Sequence, residues 1–281
     1  MGHSGNIRTW KFDSTGLHPY DMDGPDFDAL TLKLPSGLYT TFRTYGGRMR
    51  VLGLRAHLRR LYAPAASLGV RPAVDAGGLR RELADLLAGF EEEEARVRLV
   101  LDTTSGPGTL FVMLQPLKLL PPEIYRNGVR TVTSPRSRTD PVLKQTSFIA
   151  SSQPERHQVG GGIFEILLTH NGRILEGMTS NFFYVRDGVL CTAGRGVLQG
   201  VTRQVVTGLA RRHGIRVAYR SLKLADLPSI REACITSSSR GLVPVVEIDG
   251  HTVGSGVPGS VMRALLAAYD AEVLALSEAL V

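Results

Sequence analysis

Two residues near the middle of the chain have side chains suited to amine chemistry. Lys144 stands in Pro141-Val-Leu-Lys-Gln-Thr-Ser-Phe148, and Glu176 opens Glu176-Gly-Met-Thr-Ser-Asn-Phe-Phe183, 32 residues later. A lysine amine that has lost its proton condenses with an aldehyde, and desolvation or nearby positive charge brings its pKa down toward that state. The same amine, once released, moves protons as a base and then as an acid. A carboxylate set against a ring nitrogen keeps that nitrogen protonated. Surface lysines and glutamates are common and mostly only solvated, so the case for this pair rests on the sequence around it. Between them lie an apolar β run, Ile163 to Thr169, and an Asn171-Gly172 turn of the hairpin type; a second β run covers Asn181 to Tyr184. Both residues are therefore expected at strand ends beside one cleft.

Three further stretches carry groups suited to an anion. His57-Leu58-Arg59-Arg60-Leu61 lies on a helical pattern from Ala56 to Leu68, with Leu58, Leu61, Ala65 and Leu68 at helical spacing. A basic residue there is ordinarily just the wet side of an amphipathic helix. Gly196-Val-Leu-Gln-Gly200-Val201-Thr202-Arg203 runs into an expected helix over 202–213. A glycine-bounded loop feeding a helix start offers free backbone N–H groups at a positive dipole end, a seat for phosphate. Thr202 adds a hydroxyl, although capping alone would also explain it. Ser237-Ser238-Ser239-Arg240 follows a strand over 233–236 and precedes Val243-Pro244-Val245. Its hydroxyls donate and accept, and Arg240 is poised for either a substrate carboxylate or solvent.

These motifs, in this order, resemble those of the fold type IV (class IV) pyridoxal-phosphate enzymes: branched-chain aminotransferase, D-amino acid aminotransferase and aminodeoxychorismate lyase. The resemblance runs from about Gly37 to Gly259. It implies that Lys144 carries pyridoxal 5′-phosphate as a Schiff base and that Glu176 faces the pyridine nitrogen. Arg60, Val201, Thr202, Ser238 and Ser239 then hold the cofactor phosphate, and Tyr39, Thr41, Arg98 and Arg240 lie toward the substrate. The fold implied is α/β (α+β), with a smaller N-terminal domain, a larger C-terminal domain and the cofactor at their interface, in a homodimer whose partner completes the substrate pocket. The activity implied is transfer of an amino group between an amino acid, small or hydrophobic, and a 2-oxo acid. Tyr39-Thr40-Thr41 resembles the lyase branch, so conversion of 4-amino-4-deoxychorismate to 4-aminobenzoate and pyruvate is the alternative; Ser147-Phe148 departs from that branch. A non-catalytic binding protein that kept the fold is a second alternative, suggested by the first 35 residues, which lack the family's signature before the first shared strand.

The elements that must position these groups are legible in outline. Residues 1–35 are rich in breakers, His18-Pro19, Gly24-Pro25 and Leu34-Pro35, and read as irregular. Strands are expected over 37–45, 48–52, 96–101, 109–114, 129–133 and 189–192, with Gly46-Gly47 and Asp187-Gly188 as turns, and helices over 56–68, 78–90 and 260–276. Pro64 predicts a kink or an early end in the first helix. Arg96 and Arg98 share a strand face because the side-chain period is two. Pro121-Pro122 marks a linker over 119–128, dividing an N-terminal α/β domain, 1–118, from a cofactor-binding domain, 129–281.

Composition bounds the class. A chain of 281 residues with 43% hydrophobic and 21% charged content suits one large or two medium globular domains. It has no apolar run of about 18 residues, so no membrane span is expected. Met1 to Asn6 lack a signal-peptide pattern. Two cysteines, Cys191 and Cys234, make no disulfide scaffold and point to the cytoplasm. The net charge of +7 is dispersed in short clusters, which suits small anions and argues against nucleic acid. Gly254-Ser-Gly-Val-Pro-Gly259 matches a dinucleotide fingerprint literally, yet the helix after it nearly ends the chain and leaves no returning strand. The seven histidines are scattered, none in His-Glu-x-x-His, so no metal site is expected.

Overall fold

A computed structural model describes residues 7–281. The chain forms two compact units: one takes the chain up to Lys118 together with Leu143–Ser151 and Leu274–Val281, the other Leu119–Val142 and Ser152–Val273. The first begins with β1 (Arg8–Asp13), β2 (Gly16–Pro19), α1 (Phe27–Lys33), β3 (Gly37–Tyr45), β4 (Arg50–Leu52), α2 (Leu54–Ser67), α3 (Ala76–Ala88), β5 (Ala95–Asp102) and β6 (Leu110–Pro116). The chain passes to the second unit through α4 (Pro122–Asn127) and β7 (Val129–Ser134), and α5 (Ser147–Ser151) returns to the first. The second unit continues with α6 (Gln153–Arg156), β8 (Ile163–His170), β9 (Arg173–Gly177), β10 (Asn181–Arg186), β11 (Val189–Thr192) and α7 (Val201–Arg212). β12 (Arg216–Tyr219), β13 (Leu222–Lys223), a 3₁₀ turn (Leu224–Ser229), β14 (Glu232–Ser237), β15 (Gly241–Ile248), β16 (His251–Thr252) and α8 (Ser260–Leu276) complete it. β17 (Ser277–Ala279) ends in the first unit.

The first unit is an antiparallel sheet in the order β17-β4-β3-β5-β6-β1-β2. Alternation along β3 and β5 sorts its faces. Leu38, Phe42, Val97, Leu99 and Leu101 pack with Leu54, Leu58 and Leu61 of α2 and Leu79, Leu83 and Leu87 of α3. Tyr39, Val100, Phe111 and Met113 face the other way and pack with Phe27 and Leu30 of α1 and Ile149 of α5. Each such aliphatic side chain removed from water contributes about 1.5–3 kcal/mol. The helix over 56–68 starts two residues earlier than expected and runs through Pro64; Leu68 N–H still bonds the Pro64 carbonyl at 3.0 Å, so the proline sits in the last turn without ending it.

One expectation is corrected. Residues 8–19 and 27–33 are not irregular: β1 pairs with β6, aligning Trp10 with Val112, and hairpins onto β2. Asp26 caps α1, accepting from the Asp28 and Ala29 amides at 2.8 Å each. The breakers bound these elements rather than abolish them. The stretch over 119–128 holds α4, whose start is a proline pair where a helix tolerates one.

The second unit is a ten-stranded sheet in which β15, β7 and β8 run parallel, with β14, β10 and β11 continuing from β15 and β9 and β13 following β8. Positive φ at both Asn171 and Gly172, 48° and 68°, gives the twist a tight hairpin needs, and Asp187-Gly188 repeats it at 51° and 68°. The strand β17 does follow α8, but it pairs antiparallel with β4 in the other sheet, which no βαβ nucleotide unit does. Among the described residues no helix is long and apolar enough to cross a membrane. The expectation on Met1 to Asn6 lies outside the described residues.

Candidate active site

In the first unit, Lys144 lies just ahead of an isolated bridge rather than at a strand end. Its carbonyl accepts from the Tyr39 amide at 2.8 Å, Gln145 bridges Leu38, and the Thr146 amide bonds the Gly37 carbonyl at 2.9 Å. The segment is thus stitched to the first half of β3. Gly37 is needed there, because a Cβ would come within 1.9 Å of the Leu101 carbonyl oxygen. The Lys144 ammonium stands 4.7 Å from the centre of the Tyr39 ring, and the Arg98 guanidinium 5.0 Å from the same ring. On the opposite face of β3, Thr40 Oγ1 is 2.7 Å from Nδ1 of the buried His57, at the start of α2. Burial, then the charges of Arg60 and Lys144, hold the His57 pKa well below its usual value. His57 is therefore a neutral imidazole among cations, and Arg60, half-buried, shares its side of α2 while Arg59 is exposed.

Arg98 does not stand open to a substrate carboxylate. It is 4% exposed, and its Nη1 donates to Asp28 Oδ1 at 2.7 Å and to Thr31 Oγ1 at 2.9 Å, both on α1. Its Nε donates to Thr41 at 3.0 Å, and its plane lies against Phe27 and Tyr39. The face is as expected; the partner is the chain's own carboxylate.

In the second unit, Glu176 is 2% exposed on β9, and three donors converge on it. Arg138 Nε reaches Oε1 at 2.8 Å; Asn181 Nδ2, aligned opposite by the β9–β10 register, reaches Oε2 at 3.2 Å; the Leu198 amide reaches Oε2 at 3.0 Å. Arg138 also donates to the Met178 carbonyl at 3.0 Å. The loop that supplies Leu198 feeds α7. A side chain at Gly200 would strike Asn181, its Cβ falling 2.0 Å from Oδ1, so glycine lets loop and strand close. No side chain caps α7, and the Thr202 hydroxyl, buried at 2% exposure, has no hydrogen-bond partner among the described residues. An orphaned hydroxyl beside uncapped helix amides is what an oxyanion such as phosphate satisfies, so these residues suit the cofactor's phosphate. Val201 is buried beside it, and Ser238 and Ser239 are half-buried in the turn after β14.

Arg240, half-buried, is tied to groups of its own chain. Its Nη2 donates to Glu165 Oε2 at 3.1 Å and Thr179 Oγ1 at 2.6 Å, its Nε to Ser237 at 3.1 Å, and it stacks on Phe164. Glu165, 2% exposed, also accepts from Thr179 and Ser180 at 2.5 and 3.1 Å. This cluster ties the stretch after Glu176 to the serine turn. Tyr39, Thr41, Arg60, Arg98 and Lys144 thus belong to one unit, and Glu176, Val201, Thr202, Ser238, Ser239 and Arg240 to the other. Sequence reading missed Arg138, Glu165 and His57 as supporting residues. Arg138 sits in a polar, basic run that looks like surface, and only the folded contact reveals it. His57 carried a signal, its place in the His-x-x-Arg-Leu motif.

The arrangement is that of fold type IV enzymes. The branched-chain amino acid aminotransferase structure of T.th. with pyridoxamine 5′-phosphate superposes with a TM-score of 0.80, covering 98% of each chain at 21% identity. The amino-transferase class IV family model matches residues 37–248, and the chain belongs to that family. It is a pyridoxal-phosphate-dependent transaminase. A Methanocaldococcus jannaschii protein provisionally named as a branched-chain-amino-acid aminotransferase is 30% identical over 82% of this chain and 84% of its own. The D-alanine aminotransferase of Bacillus licheniformis is 25% identical over 85% of this chain and 88% of its own. All three are named as aminotransferases.

Proposed function

We propose that Lys144 and Glu176 are the catalytic residues and that the donor is a small or hydrophobic amino acid, with a 2-oxo acid as acceptor. The observation that carries this reading is one loop serving two sites: its Leu198 amide donates to Glu176, and its end opens α7 with the orphaned Thr202 hydroxyl. Bound pyridoxal phosphate supplies an aldehyde for the donor's amino group and a ring that takes up the electron pair left on the α-carbon. The Lys144 amine would hold the cofactor and, once free, would take the proton from the donor's α-carbon as a base and give it back as an acid. Glu176 keeps the ring nitrogen protonated, held in place by Arg138 and Asn181. Thr202, the first amides of α7, Val201, Ser238, Ser239 and Arg60 take the phosphate.

Tyr39 and Thr41 face the substrate. Arg98 and Arg240 act as positioning residues, since each is already committed to a carboxylate of the chain, and this favours a donor with an uncharged side chain. The relatives' names agree on such donors. A homodimer in the cytoplasm completes the reading, supported by the resemblance and by two buried, free cysteines.

The test is borohydride reduction with pyridoxal phosphate, followed by peptide mapping. The adduct is expected on Lys144 alone; an adduct on another lysine, or none, overturns the assignment. Adding L and D forms of alanine, valine and leucine to the yellow holoenzyme is expected to convert its absorbance to that of the pyridoxamine form. Sedimentation is expected to give twice the chain mass.

A further inference from the structure

An open depression of about 1050 Å³ lies in the second unit, at the β11–β12 end of its sheet. Five arginines line it, Arg173, Arg186, Arg195, Arg203 and Arg220, against two carboxylates, Asp187 and Asp226. Both carboxylates are taken by one arginine: Arg186 lies 3.3 Å from Asp226 and 3.8 Å from Asp187. Arg173 donates to the Ser221 carbonyl at 3.4 Å. Arg203 is turned inward, donating to the Ala193 carbonyl at 2.8 Å and to Gln199 at 2.6 Å, so that it clamps the loop before α7. Arg195 and Arg220 remain. Both are exposed, and among the described residues neither has a carboxylate within ion-pair distance. Tyr219, half exposed at the rim, gathers more charge, with the guanidinium carbons of Arg203 and Arg211 at 5.3 and 5.8 Å from its ring.

Cations crowded in a concave surface without counter-charges raise the local concentration of anions. Guanidinium forks match phosphate oxygens in pairs. The two uncommitted forks come from separate segments, the loop before α7 and the residue after β12, and a ligand with several anionic groups offers one to each. A chain of phosphates meets both, and Gln204 and Thr207 offer neutral polar groups along the same wall. We propose that this depression binds an oligophosphate chain, free or as the tail of a nucleoside triphosphate, with Arg195 and Arg220 as its two forks. The site is separate from the seat at Thr202 and does not depend on the transamination reading.

Calorimetric titration of the purified protein with inorganic tripolyphosphate, ATP and AMP, with pyridoxal phosphate in excess to fill the other seat, tests it. Tripolyphosphate and ATP are expected to bind and AMP to bind at least about tenfold more weakly. Raising the salt from about 0.05 to 0.3 M is expected to weaken binding several-fold, since the groups are exposed. Equal affinities for tripolyphosphate and ATP identify the phosphate chain as the ligand, and a clear preference for ATP identifies the nucleotide; both uphold the site. R195A/R220A is expected to lose about tenfold or more in affinity, and R195K/R220K to retain part of it, with both variants melting as the parent does. Absence of binding, binding unchanged in R195A/R220A, or binding abolished by pyridoxal phosphate overturns the proposal.

Discussion

A carboxylate buried like Glu176 keeps its charge only where donors converge on it, and Arg138 is the charged one of the three described above. Arg138→Met takes that cation away and leaves the amide side chain of Asn181 and the Leu198 N–H in place. Breaking a buried pair by removing one partner costs about 3–5 kcal/mol, and a loss of that order is expected in urea unfolding. The double variant R138M/E176Q is expected to recover part of it, which measures the coupling of the pair. A purely packing role for Arg138 predicts no recovery. With Glu176 in its proposed role beside the cofactor's ring nitrogen, R138M is expected to lower kcat by about tenfold or more with smaller change in KM, because Glu176 rather than the donor is misplaced. Asp28 presents the complementary case. Its carboxylate is the charged partner of buried Arg98, alongside the hydroxyls of Thr31 and Thr41. Asp28→Ala opens a space of carboxylate shape beside a buried cation. The variant is expected to lose about 1–3 kcal/mol of stability, and formate at high concentration to restore part of it, whereas chloride at equal ionic strength does not.

At the scale of elements, α2 couples the first unit to pH through His57. Its folded-state pKa is depressed by burial and by Arg60 and Lys144, while in the unfolded chain it returns to about 6.5. Below that value the unfolded chain takes up a proton that the folded chain refuses. The stability this neutral histidine brings is therefore complete above about pH 6.5 and falls as pH drops, by about 1.4 kcal/mol per unit once the unfolded form is fully protonated. Urea midpoints measured from pH 7.5 to 5 are expected to fall with that added slope, and H57Q to flatten it. The elements themselves were legible where one period dominates. The expected bounds of α8 and β3 coincide with the observed ones, because a long apolar helix pattern and a glycine-bounded β run leave little choice. β1 was not legible, because its stability comes from pairing with β6 about a hundred residues away. Nor was α1, seven residues between proline breakers, which depends on the Asp26 cap and on packing against Tyr39 and Phe111. The same limit hid Arg138 and the partners of Arg98 and Arg240: residue type and strand face follow from local spacing, whereas the partner of a buried charge is a tertiary fact.

Residues 277–281 close the first unit. β17 adds an edge to the first sheet by pairing with β4, and Leu280, 1% exposed, enters the core that α2 and α3 cover. Arg80 fixes the terminus by donating to the Ala279 carbonyl at 2.8 Å and the Leu280 carbonyl at 3.2 Å, while Arg50 donates to Ser277. Ile149, from the segment that carries Lys144, fills the opposite face of the sheet. The first unit therefore draws its cores from three separated stretches of sequence, and an N-terminal fragment ending at Lys118 lacks β17, Leu280 and Ile149 together. Such a fragment is expected to melt without a cooperative transition and to expose apolar surface that binds a hydrophobic dye. Leu280→Ala in the full chain is the milder version: deleting a fully buried leucine side chain costs about 2–5 kcal/mol, so its urea midpoint is expected to drop accordingly. If the fragment instead unfolds cooperatively and L280A unfolds with the parent chain, the terminus decorates a unit that is already complete, and the dependence of the first sheet on the last turn of the chain is refuted.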